Sequence, residues 1–125
     1  MGENRIKLVA ADMDGTLLNR ERKITKYTQN VIKKAMAQGV YFVPATGRAV
    51  NALPPELKEM EGIRYGIFSN GATIYDLKEE KVIYKNHFEM DRVLELMDFL
   101  KQFDLMESIS SVSYTHLTLP TNREV

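Results

Sequence analysis

The sequence contains no cysteine among its 125 residues, which excludes disulfide bonds, thiolate nucleophiles and cysteine metal sites. Its 17 basic and 17 acidic residues cancel, so no field of one sign would attract nucleic acid or a cationic partner. No apolar run approaches the ~18 residues of a membrane helix, and Glu3, Arg5 and Lys7 replace the apolar segment of a signal peptide. We therefore expect a soluble cytoplasmic protein that binds neither nucleic acid nor membrane, with no obligate protein partner evident.

The pattern along the chain favours an α/β fold of about one domain. Residues 6–11, 40–43 and 65–69 are short apolar runs separated by helical segments. The first run is apolar enough for a strand covered on both faces. The alternation of strand and helix predicts parallel βαβ units with right-handed crossovers.

Two helices are predicted between these strands. Thr25 is a suitable N-cap for a helix over residues 25–38, and Gly39 provides its stop. A second helix is predicted from about Ala49, and the proline pair at 54–55 interrupts it or starts a new one.

The pattern changes after the third apolar run. Residues 73–75 and 81–84 flank a charged turn and predict a β-hairpin. Residues 90–103 carry apolar side chains at helical spacing and predict an amphipathic helix.

The last residues do not continue the spacing of apolar segments and turns seen in the rest of the chain. Residues 112–121 resemble the translation of a transposase-type sequencing adapter, whose codons encode these residues in order. We therefore predict a non-native tail over residues 112–125; the alternative is a genuine short strand.

Polar residues follow each of the three predicted strands. Asp12 and Asp14 follow the first, Thr46 the second and Asn70 the third. Because ligands bind at the carboxyl ends of strands in open α/β sheets, we expect these residues to converge on one crevice. Asn70 with Gly71 is also typical of a simple turn.

The two carboxylates at residues 12 and 14 suit phosphoryl transfer. Carboxylates this close repel each other unless a cation or a shared proton relieves the repulsion, and Mg²⁺ binds carboxylates together with phosphate oxygens. One carboxylate can attack phosphorus while the other donates a proton to the leaving oxygen. A local Asx-turn is one alternative. A calcium loop is another, with Glu21 at the required distance but no polar ligands at residues 16–18.

Thr46, Gly47 and Arg48 form a second candidate anion site. A hydroxyl and free amides at a strand-to-helix junction can hold phosphate oxygens, and an arginine fork can bind a substrate anion. The alternative is a threonine N-cap followed by a turn glycine. His87 and His116 stand alone in the sequence and are interpreted as non-catalytic.

Three segments resemble the motifs of the haloacid dehalogenase (HAD) superfamily. Residues 9–18 resemble its first motif, and residues 45–48 its second motif in the form used by the Cof-type branch. Residues 69–72 resemble that branch's third-strand signature. The resemblance extends from about residue 6 to about residue 106.

The resemblance implies a HAD-type Rossmann-like parallel sheet core, partial in this chain, with a β-hairpin and the first helix of an inserted α+β cap domain. We accordingly assign residues 1–84 to the core and 85–111 to the start of the cap. In the family, a later lysine and later acidic residues complete the magnesium site beyond the cap, and Lys101 on the predicted cap helix does not replace that lysine. We therefore expect a truncated chain that is inactive or nearly so, and that is marginally stable or aggregates by itself.

The resemblance also implies a magnesium-dependent phosphatase acting on small phosphorylated metabolites, such as sugar phosphates or phosphorylated cofactors. Asp12 would be the nucleophile that forms an aspartyl-phosphate, and it would also bind Mg²⁺. Asp14 would be the general acid/base, with its backbone carbonyl on the metal.

For the phosphate, the resemblance implies that Thr46 and Gly47 bind the phosphoryl group, and that Arg48 and Asn70 contact substrate or phosphate. A phosphomutase of the same superfamily and a non-catalytic fragment that binds phosphate or metal stay open as alternatives.

Overall fold

The computed structural model describes residues 4–103. The chain divides into two compact units after Lys85. The predicted tail over residues 112–125 lies outside the described residues. Within residues 4–103, no helix is long and apolar enough to cross a membrane. The first unit contains these elements: β1 Leu8–Asp12, α1 Lys26–Ala37, β2 Tyr41–Ala45, α2 Pro55–Lys58, β3 Tyr65–Phe68, β4 Thr73–Asp76 and β5 Lys81–Lys85.

The five strands form one mixed sheet in the order β1-β2-β3-β4-β5. The first three are parallel neighbours, which confirms the parallel strands predicted from the alternating pattern. The predicted hairpin is also present, because β4 and β5 pair antiparallel. The sequence did not indicate that β4 would also pair antiparallel with β3, which joins the hairpin to the parallel strands in one sheet.

Helix α1 forms where its capping residue predicts it. The Thr25 hydroxyl oxygen accepts a hydrogen bond from the Thr28 N–H at 3.2 Å, satisfying a backbone donor that would otherwise lack a partner at the helix start. The helix ends before Gly39, whose φ of 86° is in the left-handed region that favours glycine.

The second predicted helix is shorter than expected. One 3₁₀ turn spans Val50–Ala52, Leu53 is extended with ψ of 129°, and α2 covers only Pro55–Lys58. Pro54 explains the interruption, because the residue before a proline avoids helical backbone angles.

The core of the first unit is one cluster of buried apolar side chains. Phe68 at the end of β3 and Met13 just after β1 are fully buried. A side chain of this size contributes roughly 1.5–3 kcal/mol when fully buried. Their burial therefore anchors the ends of two strands. The other buried members of this cluster are Leu18, Ile24, Ile32, Phe42, Leu53, Leu57, Met60 and Ile63.

Strand β1 is not covered as its composition predicts. Leu8 is 54% exposed and Val9 is 38% exposed, so the predicted burial of both faces is wrong for the described part of the chain. Among the strands of residues 4–103, β1 lies at one end of the sheet and pairs only with β2.

The second unit contains helix α3, Met90–Leu100. This confirms the helix predicted over residues 90–103, three residues shorter at its end. Met97 is its buried residue. The assignment of this unit to the start of a cap domain stays a prediction.

Candidate functional site

The parallel register aligns the ends of the first three strands. Asp12 lies opposite Ala45, and Ala45 lies opposite Ile67. The loops that leave these strands therefore begin side by side at one edge of the sheet. This alignment brings together residues that are far apart in sequence, such as Asp14 and Arg48, which are 34 positions apart.

The first of these loops holds the two candidate carboxylates. The Leu18 N–H donates to the Met13 carbonyl at 2.9 Å and closes a wide turn. Gly15 within it has φ of 78°, a backbone angle that few other residues adopt without strain. The Asp12 carboxylate accepts a hydrogen bond from the Met13 N–H at 2.9 Å. Because Met13 is fully buried, this hydrogen bond joins the exposed Asp12 to an anchored residue.

The second loop orients the Thr46 hydroxyl. Thr46 is buried, and its backbone N–H donates to the Ile67 carbonyl at 2.9 Å. Its hydroxyl oxygen accepts a hydrogen bond from the Arg48 N–H at 3.0 Å. Within residues 4–103, neither the Thr46 hydroxyl proton nor the Gly47 N–H has an acceptor. Both are therefore donors available to an anion.

The third loop is hydrogen-bonded to the second. The Ser69 N–H donates to the Arg48 carbonyl at 3.0 Å, and the Asn70 N–H donates to the Thr46 carbonyl at 3.1 Å. These bonds connect the backbone after β3 to the backbone after β2.

A cleft of about 370 Å³ lies between these loops. It brings together four of the residues singled out from the sequence: Asp12, Thr46, Gly47 and Asn70. Ala45, Ile67 and Gly71 complete its lining. Asp14 and Arg48 do not line it.

Asp14 and Arg48 instead form an ion pair with each other. Arg48 Nε donates to one Asp14 carboxylate oxygen at 3.0 Å, and Arg48 Nη2 donates to the other at 2.5 Å. The hydrogen bonds from Arg48 lower the pKa of the Asp14 carboxyl from its ordinary value, and the same contact raises the pKa of Arg48. The Asp14 side chain is 56% exposed, so solvent screens much of this attraction.

This ion pair was not predicted from the sequence, which assigned Arg48 to an anion of the substrate. The alignment of β1 with β2 offers a signal for this ion pair. Asp14 follows the end of β1 by two residues, and Arg48 follows the aligned end of β2 by three. Opposite charges at such positions are within reach of each other.

The residues present fit a magnesium ion in part. Within residues 4–103, no group of three or more His, Cys, Asp or Glu side chains is arranged to hold a metal. Asp12 has one carboxylate oxygen without a protein partner there, whereas both Asp14 carboxylate oxygens are occupied by Arg48. Mg²⁺ is often bound through one or two protein carboxylates, with water and substrate phosphate supplying the other ligands. The Asp12 carboxylate suits such a site, and the Asp14 side chain does not while Arg48 holds it.

The chain is similar to known hydrolases in sequence. A family model of haloacid dehalogenase-like hydrolases matches residues 9–124. A protein of Buchnera aphidicola subsp. Baizongia pistaciae is 43% identical over 90 residues, covering 72% of this chain and 33% of that protein. The 5-amino-6-(5-phospho-D-ribitylamino)uracil phosphatase YcsE of Bacillus subtilis is 37% identical over 89 residues, covering 68% and 36%.

A solved structure of a HAD subclass IIB sugar phosphatase is also similar. It superimposes with a TM-score of 0.63 at 33% identity, covering 77% of this chain and 37% of that one. This similarity confirms the α/β fold predicted from the motifs. The chain spans about a third of the length of the relatives it matches.

Proposed function

Because the chain belongs to the haloacid dehalogenase-like hydrolase family, we propose that it carries the nucleophile and the phosphate-binding loop of a phosphatase for small phosphate esters. The observation that carries this proposal is the shared cleft of Asp12, Thr46 and Gly47. A carboxylate and two free donors around one cleft are the groups that a transferred phosphoryl group requires.

The first step is attack by Asp12 on the phosphorus of the ester. A bond forms between the Asp12 carboxylate oxygen and phosphorus, and the bond from phosphorus to the ester oxygen breaks. The Thr46 hydroxyl and the Gly47 N–H donate hydrogen bonds to the phosphoryl oxygens, and these bonds stabilise the charge on them. The product is an aspartyl-phosphate and an alcohol, once the leaving oxygen has taken a proton.

Asp14 supplies that proton and later accepts one from the water that hydrolyses the aspartyl-phosphate. A carboxyl group must be protonated before it can act as an acid, and the fork of Arg48 favours the ionised form. Asp14 therefore acts only after Arg48 has moved away from it. An anionic substrate offers Arg48 another partner.

Mg²⁺ is the cofactor of this proposal. The Asp12 carboxylate and the Asp14 backbone carbonyl would hold the ion. When bound, Mg²⁺ would neutralise negative charge on the phosphoryl group. The location in the cytoplasm stays a prediction from the sequence.

The proposed substrates are sugar phosphates or phosphorylated cofactor intermediates. This class is supported by two similar proteins, of which one is named for a phosphoribityl compound and the other for sugar phosphates. A second candidate function is phosphate binding without turnover, and the occupied Asp14 carboxylate favours it for this chain. A phosphomutase remains the alternative within the superfamily.

Beryllofluoride, which mimics a phosphoryl group on aspartate, tests the nucleophile without requiring turnover. We expect ¹⁹F NMR of the 125-residue chain with Mg²⁺ and beryllofluoride to show a bound signal that Asp12→Asn abolishes. Asp91→Asn, on helix α3, is the matched control and should keep the signal. A bound signal that survives Asp12→Asn would exclude Asp12 as the nucleophile.

Turnover is measured separately with a generic aryl phosphate and Mg²⁺. Hydrolysis that depends on Asp12 would favour the phosphatase. Beryllofluoride binding without hydrolysis would favour the second candidate function for this chain. Hydrolysis that is equal in the chain and in Asp12→Asn would contradict the proposed mechanism.

A further inference from the structure

The turn after β3 has an unusual backbone. Ser69, Asn70 and Gly71 have φ values of 50°, 55° and 94°, three successive residues in the left-handed region. Glycine adopts this region readily and asparagine tolerates it, whereas serine seldom does. A simple turn does not require three such residues, so other contacts must maintain this conformation.

Those contacts join this turn to the loop that offers donors to the cleft. The Ser69 and Asn70 N–H groups donate to the carbonyls of Arg48 and Thr46. Both ends of the short segment over residues 46–48 are therefore held by the turn after β3. The hydrogen bond from the Arg48 N–H to the Thr46 hydroxyl oxygen lies within this segment.

The Asn70 side chain also fits against Gly47. A Cβ atom placed on Gly47 would lie 2.8 Å from Asn70 Oδ1 and 3.4 Å from Asn70 Cγ. The first distance is too short for any side chain at residue 47 without movement of Asn70. Glycine at residue 47 and asparagine at residue 70 are thus complementary in shape.

We propose that Asn70 is a positioning residue, whose amide packs over Gly47 and holds residues 46–48 in the shape that presents the Thr46 hydroxyl and the Gly47 N–H to the cleft. The family resemblance implied a direct contact of Asn70 with substrate or phosphate. In the positioning role, Asn70 acts through its neighbours, and its effect exists before any anion binds. The role of the loop as a phosphate site rests on the proposed function, whereas the Asn70–Gly47 contact does not.

Amide hydrogen exchange of the 125-residue chain, measured by NMR without phosphate, tests the contact. The reporters are the N–H groups of Arg48 and Ser69. Asn70→Gly removes the amide but accepts the left-handed backbone, and we expect it to accelerate exchange at both reporters by roughly tenfold. Gly47→Ala should also accelerate exchange, because its Cβ displaces Asn70 Oδ1.

The double variant Asn70→Gly/Gly47→Ala shows whether the two substitutions act on exchange through the same contact or independently. Once Asn70→Gly has removed the amide, Gly47→Ala has no neighbour to displace and should change exchange little further, so the two effects are not additive. The N–H of Leu77, which donates to the Arg64 carbonyl at 2.7 Å, reports general destabilisation and should stay unchanged. Asn70→Asp, which keeps the shape, should restore slow exchange at the reporters.

Additive effects, or equal acceleration at Leu77 and at the reporters, would overturn the positioning role. Unchanged exchange in Asn70→Gly without phosphate, together with a loss of phosphate binding, would identify Asn70 as a direct ligand instead. A separate titration of the chain with inorganic phosphate and Mg²⁺ tests the proposed function. If the two substitutions have non-additive effects on amide exchange but the chain does not bind phosphate, the Asn70–Gly47 contact is supported and the proposed phosphate site is not.

Discussion

Asp14–Arg48 and Asp76–Arg64, both in the first unit, are Asp–Arg ion pairs that differ in burial and in their hydrogen bonds. Asp14 pairs with Arg48 beside the cleft, and its side chain is 56% exposed. Asp76 pairs with Arg64 at the start of the hairpin turn, and its side chain is only 3% exposed. Burial and the number of hydrogen bonds, rather than the residue types, therefore decide whether such an ion pair stabilises the fold or leaves its carboxylate available for chemistry.

The partners of the two aspartates explain the contrast. One Asp76 oxygen accepts from the N–H groups of Lys78 and Glu79, both at 3.0 Å. The other accepts two hydrogen bonds from Arg64 at 3.1 and 3.2 Å. Among residues 4–103, only Arg48 donates hydrogen bonds to the Asp14 carboxylate. Movement of the Asp76 carboxylate would break its hydrogen bonds from three residues and leave two backbone N–H groups unsatisfied. Movement of Asp14 away from Arg48 would break contacts with one residue and expose the carboxylate to water.

The lowered pKa values of the two aspartates also have different main causes. The backbone N–H of Glu79 is the main cause that lowers the pKa of the Asp76 carboxyl, burial opposes it, and Arg64 adds to the lowering. The side chain of Arg48 is the main cause that lowers the pKa of the Asp14 carboxyl. The first shift depends mainly on the local turn and the second on a distant loop.

The largest expected effect is the loss of stability in Asp76→Ala. This change leaves the N–H groups of Lys78 and Glu79 without their acceptor and removes the partner of Arg64. We expect the midpoint of thermal unfolding, followed by circular dichroism, to fall by roughly 5 °C or more. The matched variant Asp14→Ala should shift the midpoint much less, and equal shifts would contradict the contrast between the two pairs.

Acid should produce the next largest effect. Both carboxyl groups have a lowered pKa in the folded state, so the folded state binds protons less readily than the unfolded chain, in which the aspartate pKa is about 3.9. Their stabilisation is therefore present above that value and is lost as the pH falls through it toward the lowered values.

Unfolding by urea at a series of pH values below about 5 measures this dependence. We expect Asp76→Asn to flatten the loss of stability in acid, and Asp14→Asn to flatten it less, because solvent screens the exposed pair. If the free energy of unfolding of Asp76→Asn falls in acid as steeply as that of the parent chain, the Asp76 carboxylate does not contribute to the pH dependence of stability.

The smallest expected effect on stability is that of Arg48→Met. The exposed pair contributes little, so the thermal midpoint should stay within about 2 °C. The pKa of Asp14 should nevertheless rise toward its ordinary value, because the main cause of its shift is removed. Carboxyl ¹³C NMR titration of Asp14 measures this change. Arg64→Met is the matched control and should leave the Asp14 titration unchanged.

Much of the fold was predictable because its signals are local. The Thr25 cap, the glycine at residue 39 and the short apolar runs each act over a few residues, and α1 and the three parallel strands form where they predict. The helix expected from Ala49 was wrong in extent because Pro54 extends Leu53. The burial of β1 was also wrong, since composition alone does not show which strand has a neighbour on each side.

The candidate site was predictable in its members but not in their contacts. The positions of Asp12, Thr46 and Asn70 at strand ends follow from the apolar runs before them. Their roles as nucleophile, phosphate ligand and substrate contact stay predictions. The pairing of Asp14 with Arg48 and the packing of Asn70 over Gly47 were not foreseen.

Local sequence signals were enough to predict most of the strands and helices and the polar residues at their ends, because capping, proline and apolar periodicity act on the neighbouring backbone. The pairing of Arg48 with Asp14, and the burial of Asp76 rather than Asp14 beside an arginine, are visible in the assembled fold and not in the sequence. These contacts depend on the register between neighbouring strands and on burial, which are properties of the assembled sheet and of no single segment.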